Sequence, residues 1–160
     1  MSTILPSRPR MGGQKRCTFA IVASQYNAEF VHGLTDNARR ELQAISNNFQ
    51  IKLIEVPGAF EIPLAVQELA GKNTIDAIIA LGVIIEGATA HASLISAAVT
   101  RSLQQISLQH RVPVIHEVLL VKDEAQARER CLGTELNRGQ EAARAAARMV
   151  EVMSELRNER

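Results

Sequence analysis

The apolar run at residues 75–85, IDAIIALGVII, is the feature that most constrains the fold of this chain. Only Asp76 interrupts it, near its start, whereas a strand with one solvated face alternates apolar and polar side chains. A short, continuous run of this kind is typical of a parallel strand that is covered on both faces. It therefore predicts a parallel sheet with helices packed on each side.

Strand and helix patterns also alternate before this run. Residues 17–25, CTFAIVASQ, predict a strand, and the apolar side chains within residues 30–45 recur at the steps of an amphipathic helix. IKLIEVPGAF then predicts a second strand, which Pro57 ends because proline has no N–H for the ladder. IPLAVQELA follows as a second helix. Each strand predicted in this half is thus followed by a helix.

The alternation continues after the central run. A helix is expected from about Ala90 to His110, VPVIHEVLLV predicts a fourth strand, and a charged helix begins near Glu124. An Ala/Arg-rich helix beyond Gly133 comes last. Four alternations of strand and helix predict a three-layer α/β/α sandwich around a four-stranded parallel sheet.

Length and composition limit the class of protein. With 160 residues, 46% of them hydrophobic, the chain fits one globular domain that needs no disulfide or metal. We expect that domain at residues 17–160. Residues 1–16 are rich in Pro, Gly and basic residues and predict a flexible arm rather than a signal peptide. Cys17 and Cys131 lie in unrelated segments and predict buried thiols rather than a disulfide.

The net charge of the chain and the length of its apolar runs argue against a nucleic-acid partner and a membrane partner. The formal net charge is +1, and one Tyr and no Trp leave few platforms for stacking bases, so no nucleic-acid partner is expected. No apolar run reaches the roughly 18 to 20 residues of a membrane span. We therefore expect a cytoplasmic protein that acts on small molecules, without a membrane partner.

A ligand site is expected where the predicted strands end. Parallel sheets bind ligands beyond the carboxyl ends of their strands, and the sequences at or near those ends are QYN, PGAFE, GVIIEGATAH and IHEV. The third passes from strand to helix through a glycine-containing turn, where N–H groups and the helix dipole favour an anion. Residues 87–89 are therefore a predicted phosphate site.

Taken together, these strand ends resemble the lumazine synthase family, which carries out the penultimate step of riboflavin biosynthesis. The resemblance runs from about Cys17 to Met153 and depends on VPGAFEIP and on the ordered pattern G-V-I-I-x-G-A-T-x-H. It implies a flavodoxin-like fold. It also implies condensation of 5-amino-6-(D-ribitylamino)uracil with 3,4-dihydroxy-2-butanone 4-phosphate to 6,7-dimethyl-8-ribityllumazine and phosphate, with no metal or organic cofactor.

The resemblance further implies a homo-oligomer, a pentamer whose sites lie between neighbouring subunits. Some members assemble twelve pentamers into an icosahedral shell. The short connection at residues 131–139 favours the shell, whereas Pro6 and Pro9 in the arm favour the pentamer alone.

By resemblance, three groups of residues would form the site. The residues that would hold the pyrimidine and ribityl parts are Tyr26, Ala59, Phe60, Glu61, Val83, Ile84, Ile85 and His116. The residues that would hold the phosphate are Gly87, Ala88, Thr89 and Arg130. His91 matches the proton-transfer histidine, with Arg138 and Glu141 in supporting positions.

Several positions depart from the family pattern. Glu86 replaces a usual basic residue, and Ser93 replaces a usual acidic one just after the histidine. Arg138 stands where Lys is usual, and His116 where an aromatic residue is usual. The first two departures change the charge expected around His91.

Proton transfer and alignment of two substrates are what the implied reaction requires. Histidine suits proton transfer because its ordinary pKa lies near neutral pH, and a positioned acid/base group typically contributes about 10²–10⁴-fold. Fixing two reactants can remove up to roughly 7–11 kcal/mol of barrier, so positioning is expected to outweigh acid/base chemistry. Considered alone, His91 also fits a helix cap, Arg130 a solvated side chain and Glu61 a charge at a helix start.

Two other functions stay open. A protein of the same fold could bind or store a flavin or lumazine without making one, and Glu86 and Ser93 motivate that alternative. A shell-forming protein with a vestigial pocket is the other. Turnover with both substrates separates the enzyme from either alternative.

Overall fold

The computed structural model describes residues 5–9 and 16–158, which are organised around one parallel sheet. Its strands are β1 (Cys17–Ser24), β2 (Phe49–Val56), β3 (Ala77–Ile85) and β4 (Val114–Val121). They lie in the order β2-β1-β3-β4, and every neighbouring pair is parallel. The predicted four-stranded parallel sheet is confirmed, with β2 and β4 at its edges.

Helices cover both faces of this sheet. The α-helices of the described residues are α1 (Ala28–Ile45), α2 (Ile62–Ala70), α3 (His91–His110), α4 (Glu124–Leu132) and α5 (Arg138–Asn158). A short 3₁₀ turn, Ala59–Glu61, precedes α2. Helices α1, α4 and α5 pack on one face, and α2 and α3 pack on the other. This is the predicted three-layer, flavodoxin-like arrangement.

Strand β3 is covered on both faces. Its first seven residues, 77–83, are all buried. Ile79 and Leu81 face α1 and α5, whereas Ile78 and Ala80 face α2 and α3. Burial on both sides explains why the sequence of β3 is apolar at successive positions.

Asn137 joins helix α4 to helix α5. Its Nδ2 donates to the carbonyl of Cys131 at 2.7 Å, and its Oδ1 accepts from the amide of Gly139 at 2.9 Å. A Cβ on Gly139 would lie 2.2 Å from the carbonyl oxygen of Leu34, so α5 can approach α1 this closely only with glycine there. The start of α5 is therefore held against α1.

Residues 5–9 of the predicted arm lie across α1 and α5. Arg8 donates from Nε and Nη2 to the two carboxylate oxygens of Glu41, at 2.8 and 3.1 Å. Arg144 of α5 donates from Nε to Oε1 of Glu41 at 2.7 Å and also donates to the carbonyl of Pro6. The hydrogen bond from Arg8 is the main cause that lowers the pKa of the buried Glu41 carboxyl.

The rest of the predicted arm, residues 1–4 and 10–15, lies outside the described residues. Cys131 is buried, as predicted, whereas Cys17 is only partly buried.

Candidate active site

Three predicted site segments follow adjacent strands. They lie at the carboxyl edge of the sheet, the end at which all four parallel strands have their C-terminal residues. Tyr26 follows β1, the turn Ala59–Glu61 follows β2, and residues 86–90 lead from β3 into α3. Because β2, β1 and β3 are neighbours and parallel, these segments leave the same edge side by side. The topology therefore brings the predicted pyrimidine and phosphate segments to one end of the molecule.

Tyr26 and Glu61 converge on Gly58. A Cβ on Gly58 would lie 2.9 Å from Oε2 of Glu61 and 3.0 Å from Cδ2 of Tyr26. Both side chains can lie this close to residue 58 because glycine has no Cβ. The amide of Tyr26 donates to the carbonyl of Pro57 at 3.2 Å, which ties the two loops together. The side chains of Tyr26 and Phe60 are 70% and 61% exposed. This edge thus presents two aromatic rings and a carboxylate to a ligand.

The residues at the end of strand β3 become more exposed towards the turn. Val83 is buried against α1, while Ile84 and Ile85 are half-buried on opposite faces of the sheet. The carbonyl of Val83 accepts a hydrogen bond from Nδ2 of Asn27 at 2.8 Å. In a single chain, the side chain of Val83 is therefore part of the core, and its carbonyl is held by the loop after β1.

Sequence reasoning placed Asn27 in the strand-end sequence QYN but gave it no role of its own. Its φ of 57° places it in the left-handed region just before α1, which Asn tolerates better than most residues. The available signal was an Asn immediately before a helical pattern. Its side chain joins the loop after β1 to the end of β3, so it positions Tyr26 relative to the phosphate turn.

The predicted phosphate turn is exposed and leads directly into a long helix. Gly87, Ala88 and Thr89 are all exposed, and a Cβ on Gly87 would meet no atom within 4 Å. Helix α3 begins at His91 and runs for 20 residues, and the amide of His91 donates to Oγ1 of Thr89 at 3.5 Å. The turn therefore offers backbone donors at the positive end of a helix dipole, with the exposed His91 beside them. Glu86 is exposed as well.

Arg130, Arg138 and Glu141 belong to a second group of charged side chains, on α4 and α5. Arg138 is buried and pairs with Glu141 one turn along α5. The Nε atom of Arg138 is buried and has no partner among the described residues. Arg130 is half-buried, and no salt bridge to it is found within residues 5–9 and 16–158.

Glu117 of β4 completes this group and was not singled out from the sequence. Burial raises the pKa of its carboxyl to about 7, with a further rise from Glu141 that is opposed by Arg138 and Arg130. Burial, followed by the negative charge of Glu117, raises the pKa of the Cys131 thiol to about 12. The available signal was a carboxylate within VPVIHEVLLV, a run that is apolar apart from Glu117 and His116, since a charge there needs partners from the covering helices.

His116 precedes Glu117 and faces the opposite side of β4. Its Nδ1 accepts from the amide of Val118 at 3.1 Å, and its Nε2 lies 2.7 Å from Oγ1 of Thr100. That hydroxyl donates to the carbonyl of Ser96 at 2.8 Å, so it accepts from Nε2. His116 is therefore neutral with its proton on Nε2, and burial lowers its pKa.

The predicted site residues fall into two sets within one chain. Tyr26, Glu61 and the turn at residues 87–89 lie at the carboxyl edge, whereas Arg130 lies beside Glu117 on the face that α4 and α5 cover. Within the described part of the chain, no hydrogen bond or ion pair joins Arg130 to the turn. Glu117 is in register with Leu81, which precedes the turn by most of the second half of β3, so a single chain places Arg130 and the predicted phosphate turn at different levels along the sheet.

The described residues contain no group of three or more His, Cys, Asp or Glu side chains arranged to hold a metal ion. Among the same residues, no helix combines the length and apolarity needed to cross a membrane.

Comparisons with known proteins cover nearly the whole described chain. Residues 16–154 match the family model for 6,7-dimethyl-8-ribityllumazine synthase. The 6,7-dimethyl-8-ribityllumazine synthase of Halorhodospira halophila (strain DSM 244 / SL1) is 40% identical over 139 residues, which are 86% of this chain and 89% of that relative. The match spans both sets of site residues, from Tyr26 to Glu141. This chain therefore belongs to the 6,7-dimethyl-8-ribityllumazine synthase family of enzymes.

Proposed function

We propose that this chain condenses 5-amino-6-(D-ribitylamino)uracil with 3,4-dihydroxy-2-butanone 4-phosphate in riboflavin biosynthesis, releasing phosphate and 6,7-dimethyl-8-ribityllumazine. The observation that carries the proposal is the convergence of Tyr26 and Glu61 on Gly58. Tyr26 follows β1, and β1 is the direct neighbour of β3, whose end leads into the turn before α3. A planar ring with a polyhydroxyl chain fits the first place, and a phosphate fits the second.

The pyrimidine substrate would be held by the loops after β1 and β2. The exposed ring of Tyr26 offers a face on which the pyrimidine stacks, and Phe60 adds apolar area beside it. Glu61 accepts hydrogen bonds from ribityl hydroxyls, a task that needs a fixed acceptor. The amide of Tyr26 on Pro57 keeps the two loops in register for this purpose.

The phosphate substrate would be held by the turn at residues 87–89 and by Arg130. Backbone N–H groups at the start of α3 bind phosphate oxygens, and a guanidinium adds charge-assisted hydrogen bonds. His91 moves protons while the substrate amine attacks the ketone and water leaves, phosphate is eliminated, and the second ring closes with loss of a second water. The substrate amine is the nucleophile, so the protein forms no covalent intermediate.

Family membership implies an oligomeric assembly, and we propose a pentamer whose sites are shared between neighbouring subunits. The separation of Arg130 from the phosphate turn within one chain supports this arrangement, because a neighbouring copy can supply the second set. Exposed leucines on α2 and α3, Leu64, Leu94 and Leu108, offer apolar area for such contacts. His116 would then face the pyrimidine bound by the next subunit.

The test of the reaction is the appearance of lumazine absorbance and of inorganic phosphate when both substrates are mixed with the protein. Binding of either substrate without product would instead favour a binding or shell-forming protein. The assembly's mass in solution reports whether pentamers associate further into a shell.

Subunit mixing tests the shared site. His91→Ala and Arg130→Ala are co-assembled, each of which is expected to be poorly active alone. Mixed pentamers contain interfaces where an intact His91 meets an intact Arg130, so activity should return. Co-assembly of His91→Ala with Tyr26→Ala is the control, because both changes affect the same side of the interface and every site stays defective. Equal recovery in both mixtures would contradict a shared site.

A further inference from the structure

The charged side chains around Glu117 include Arg130, the arginine that we propose binds the substrate phosphate. Glu117 lies on the face of β4 that α4 and α5 cover, and the titratable or charged groups near it are Arg130 and Cys131 of α4 and Arg138 and Glu141 of α5. Its register partner on the neighbouring strand, Leu81 of β3, is apolar and buried. Glu117 thus interacts with charges from the helices alone.

The pairing within this group is incomplete. Glu141 is engaged by Arg138, whereas neither Glu117 nor Arg130 has an ion-pair partner among the described residues. Arg138 also keeps a buried Nε without an acceptor. Two arginines and two glutamates balance when both carboxyls are ionised, and the group carries one net positive charge when Glu117 is protonated. Protonation of Glu117 therefore changes the charge that Arg130 presents to a ligand.

We propose that Glu117 is a positioning residue that takes up a proton from solvent when a dianion binds at Arg130. The inference rests on the proposed role of Arg130 in phosphate binding and deepens it. A dianion held by Arg130 would offset the positive charge that this arginine presents to Glu117 and would repel the Glu117 carboxylate, and that repulsion is removed when the carboxylate is protonated. The anion and the proton then bind cooperatively.

The direction of the pH dependence follows from this coupling. Without an anion the pKa of Glu117 is already about 7, and a nearby dianion raises it further. Anion affinity is then highest when Glu117 is protonated, and it falls as the pH rises through these two pKa values. A shift of about half a unit to one unit corresponds to an affinity loss of about three- to tenfold.

The test uses sulfate as the probe, because sulfate stays dianionic where phosphate itself titrates. Sulfate affinity and proton uptake are measured calorimetrically between about pH 6 and pH 8, in buffers of different ionisation heat. The wild-type assembly should take up a fraction of a proton per site, and its affinity should fall about three- to tenfold across this range. In Glu117→Gln, which keeps the shape and Arg130, both the proton uptake and the pH dependence should largely disappear. Glu135→Gln, an exposed carboxylate in the connection between α4 and α5, should behave as the wild type.

Wild-type proton uptake that persists in Glu117→Gln would overturn the inference. If that variant does not fold, infrared difference spectra of the wild type decide, because sulfate should increase the absorption of protonated carboxyl groups; no increase overturns the proposal. Lumazine formation without proton uptake on sulfate binding would overturn this inference alone. Proton uptake at Glu117 without lumazine formation would support the inference and contradict the proposed function.

Discussion

The Nε2 atom of His116 lies 2.7 Å from the Oγ1 atom of Thr100, which joins the edge strand β4 to helix α3. Because Val118 donates to Nδ1 and Thr100 donates to Ser96, each group in this chain of hydrogen bonds has one defined role. The imidazole is thereby held in one tautomer and one orientation. In the proposed pentamer this ring faces the neighbouring subunit's pyrimidine, so its orientation matters beyond its own chain.

Replacing Thr100 tests this contact. Thr100→Val keeps the shape but leaves the Nε2–H of His116 without its acceptor, so the free energy of unfolding should fall by about 0.5–1.5 kcal/mol. Thr100→Ser retains the hydroxyl and should lose less. Denaturant unfolding provides the free energies, and nitrogen NMR shifts of the ring report the tautomer. An Nδ1–H tautomer in the wild type would contradict the assignment.

Gly58→Ala should disturb the pyrimidine site. The added Cβ would meet Oε2 of Glu61 at 2.9 Å and the ring of Tyr26 at 3.0 Å, so both side chains must move. Loss of one or two charged hydrogen bonds to the ribityl chain, at about 1.5–3 kcal/mol each, corresponds to a rise in KM for the pyrimidine of about tenfold or more. Gly71→Ala is the control, because its Cβ would meet its closest atom at an ordinary 3.6 Å. Equal KM values in the two variants would contradict the convergence of Tyr26 and Glu61 as a binding feature.

His91→Ala should slow turnover by about 10- to 10³-fold, because alignment of the two substrates survives and only proton transfer is lost. The change should leave folding intact, since His91 is exposed at the first position of α3. Steady-state turnover at saturating concentrations of both substrates provides the measurement. Turnover equal to that of the wild type would remove His91 from its proposed role.

Arg130→Ala should weaken the phosphate substrate far more than the pyrimidine. Only one substrate carries the phosphate, and a charged hydrogen bond contributes about 1.5–3 kcal/mol. The matched control is Arg128→Ala on the same helix, because Arg128 is exposed and pairs with the exposed Glu29 at 2.8 Å. The KM values of both substrates are compared in each variant. A similar loss for both substrates in Arg130→Ala would point to damaged assembly instead.

Glu41→Gln should lower stability in a pH-dependent manner. The pKa of Glu41 is lowered in the folded chain, chiefly by Arg8, so its stabilising contribution is present above its ordinary pKa of 4.5 and is lost as the pH falls through the folded value. Near neutral pH we expect a loss of about 1.5–3 kcal/mol, as for hydrogen bonds to a charged group. The difference between wild type and variant should shrink in acid. Glu29→Gln removes an exposed pair with Arg128 and should cost clearly less than Glu41→Gln.

The layers and most element limits were predictable because they depend on local pattern. The continuous apolar run of β3 indicated burial on both faces, and Pro57 ended β2 as its missing N–H requires. The predicted position of α1 followed from apolar spacing within residues 30–45, and the helix extends over Ala28–Ile45. Each of these signals lies within a few residues of the structure it specifies.

The candidate site was predictable only in part, because its contacts join distant segments. Tyr26 and Glu61 were predicted from the strand ends and the family pattern, but their convergence on Gly58 depends on the spacing of two loops. Glu117 acquires its partners through the packing of α4 and α5 on β4, which periodicity does not reveal. Asn27 reaches a carbonyl 56 residues away, and no local pattern indicates that partner.

The contact between Gly139 and the backbone of Leu34 also has a consequence for biosynthesis. Helix α1 is made early and α5 late, and the cover of the apolar surface of α1 is complete only when Ala142, Ala143 and Ala146 of α5 join the same core cluster. A nascent chain that has left the ribosome only as far as α4 therefore lacks part of the cover of Leu34 and Ala38, and the uncovered apolar surface is open to chaperones and to other nascent chains. The helical layer of α1, α4 and α5 can be completed only after translation has passed the start of α5. A bulky residue at position 139 would delay the docking of α5 and so prolong the time for which α1 is partly uncovered.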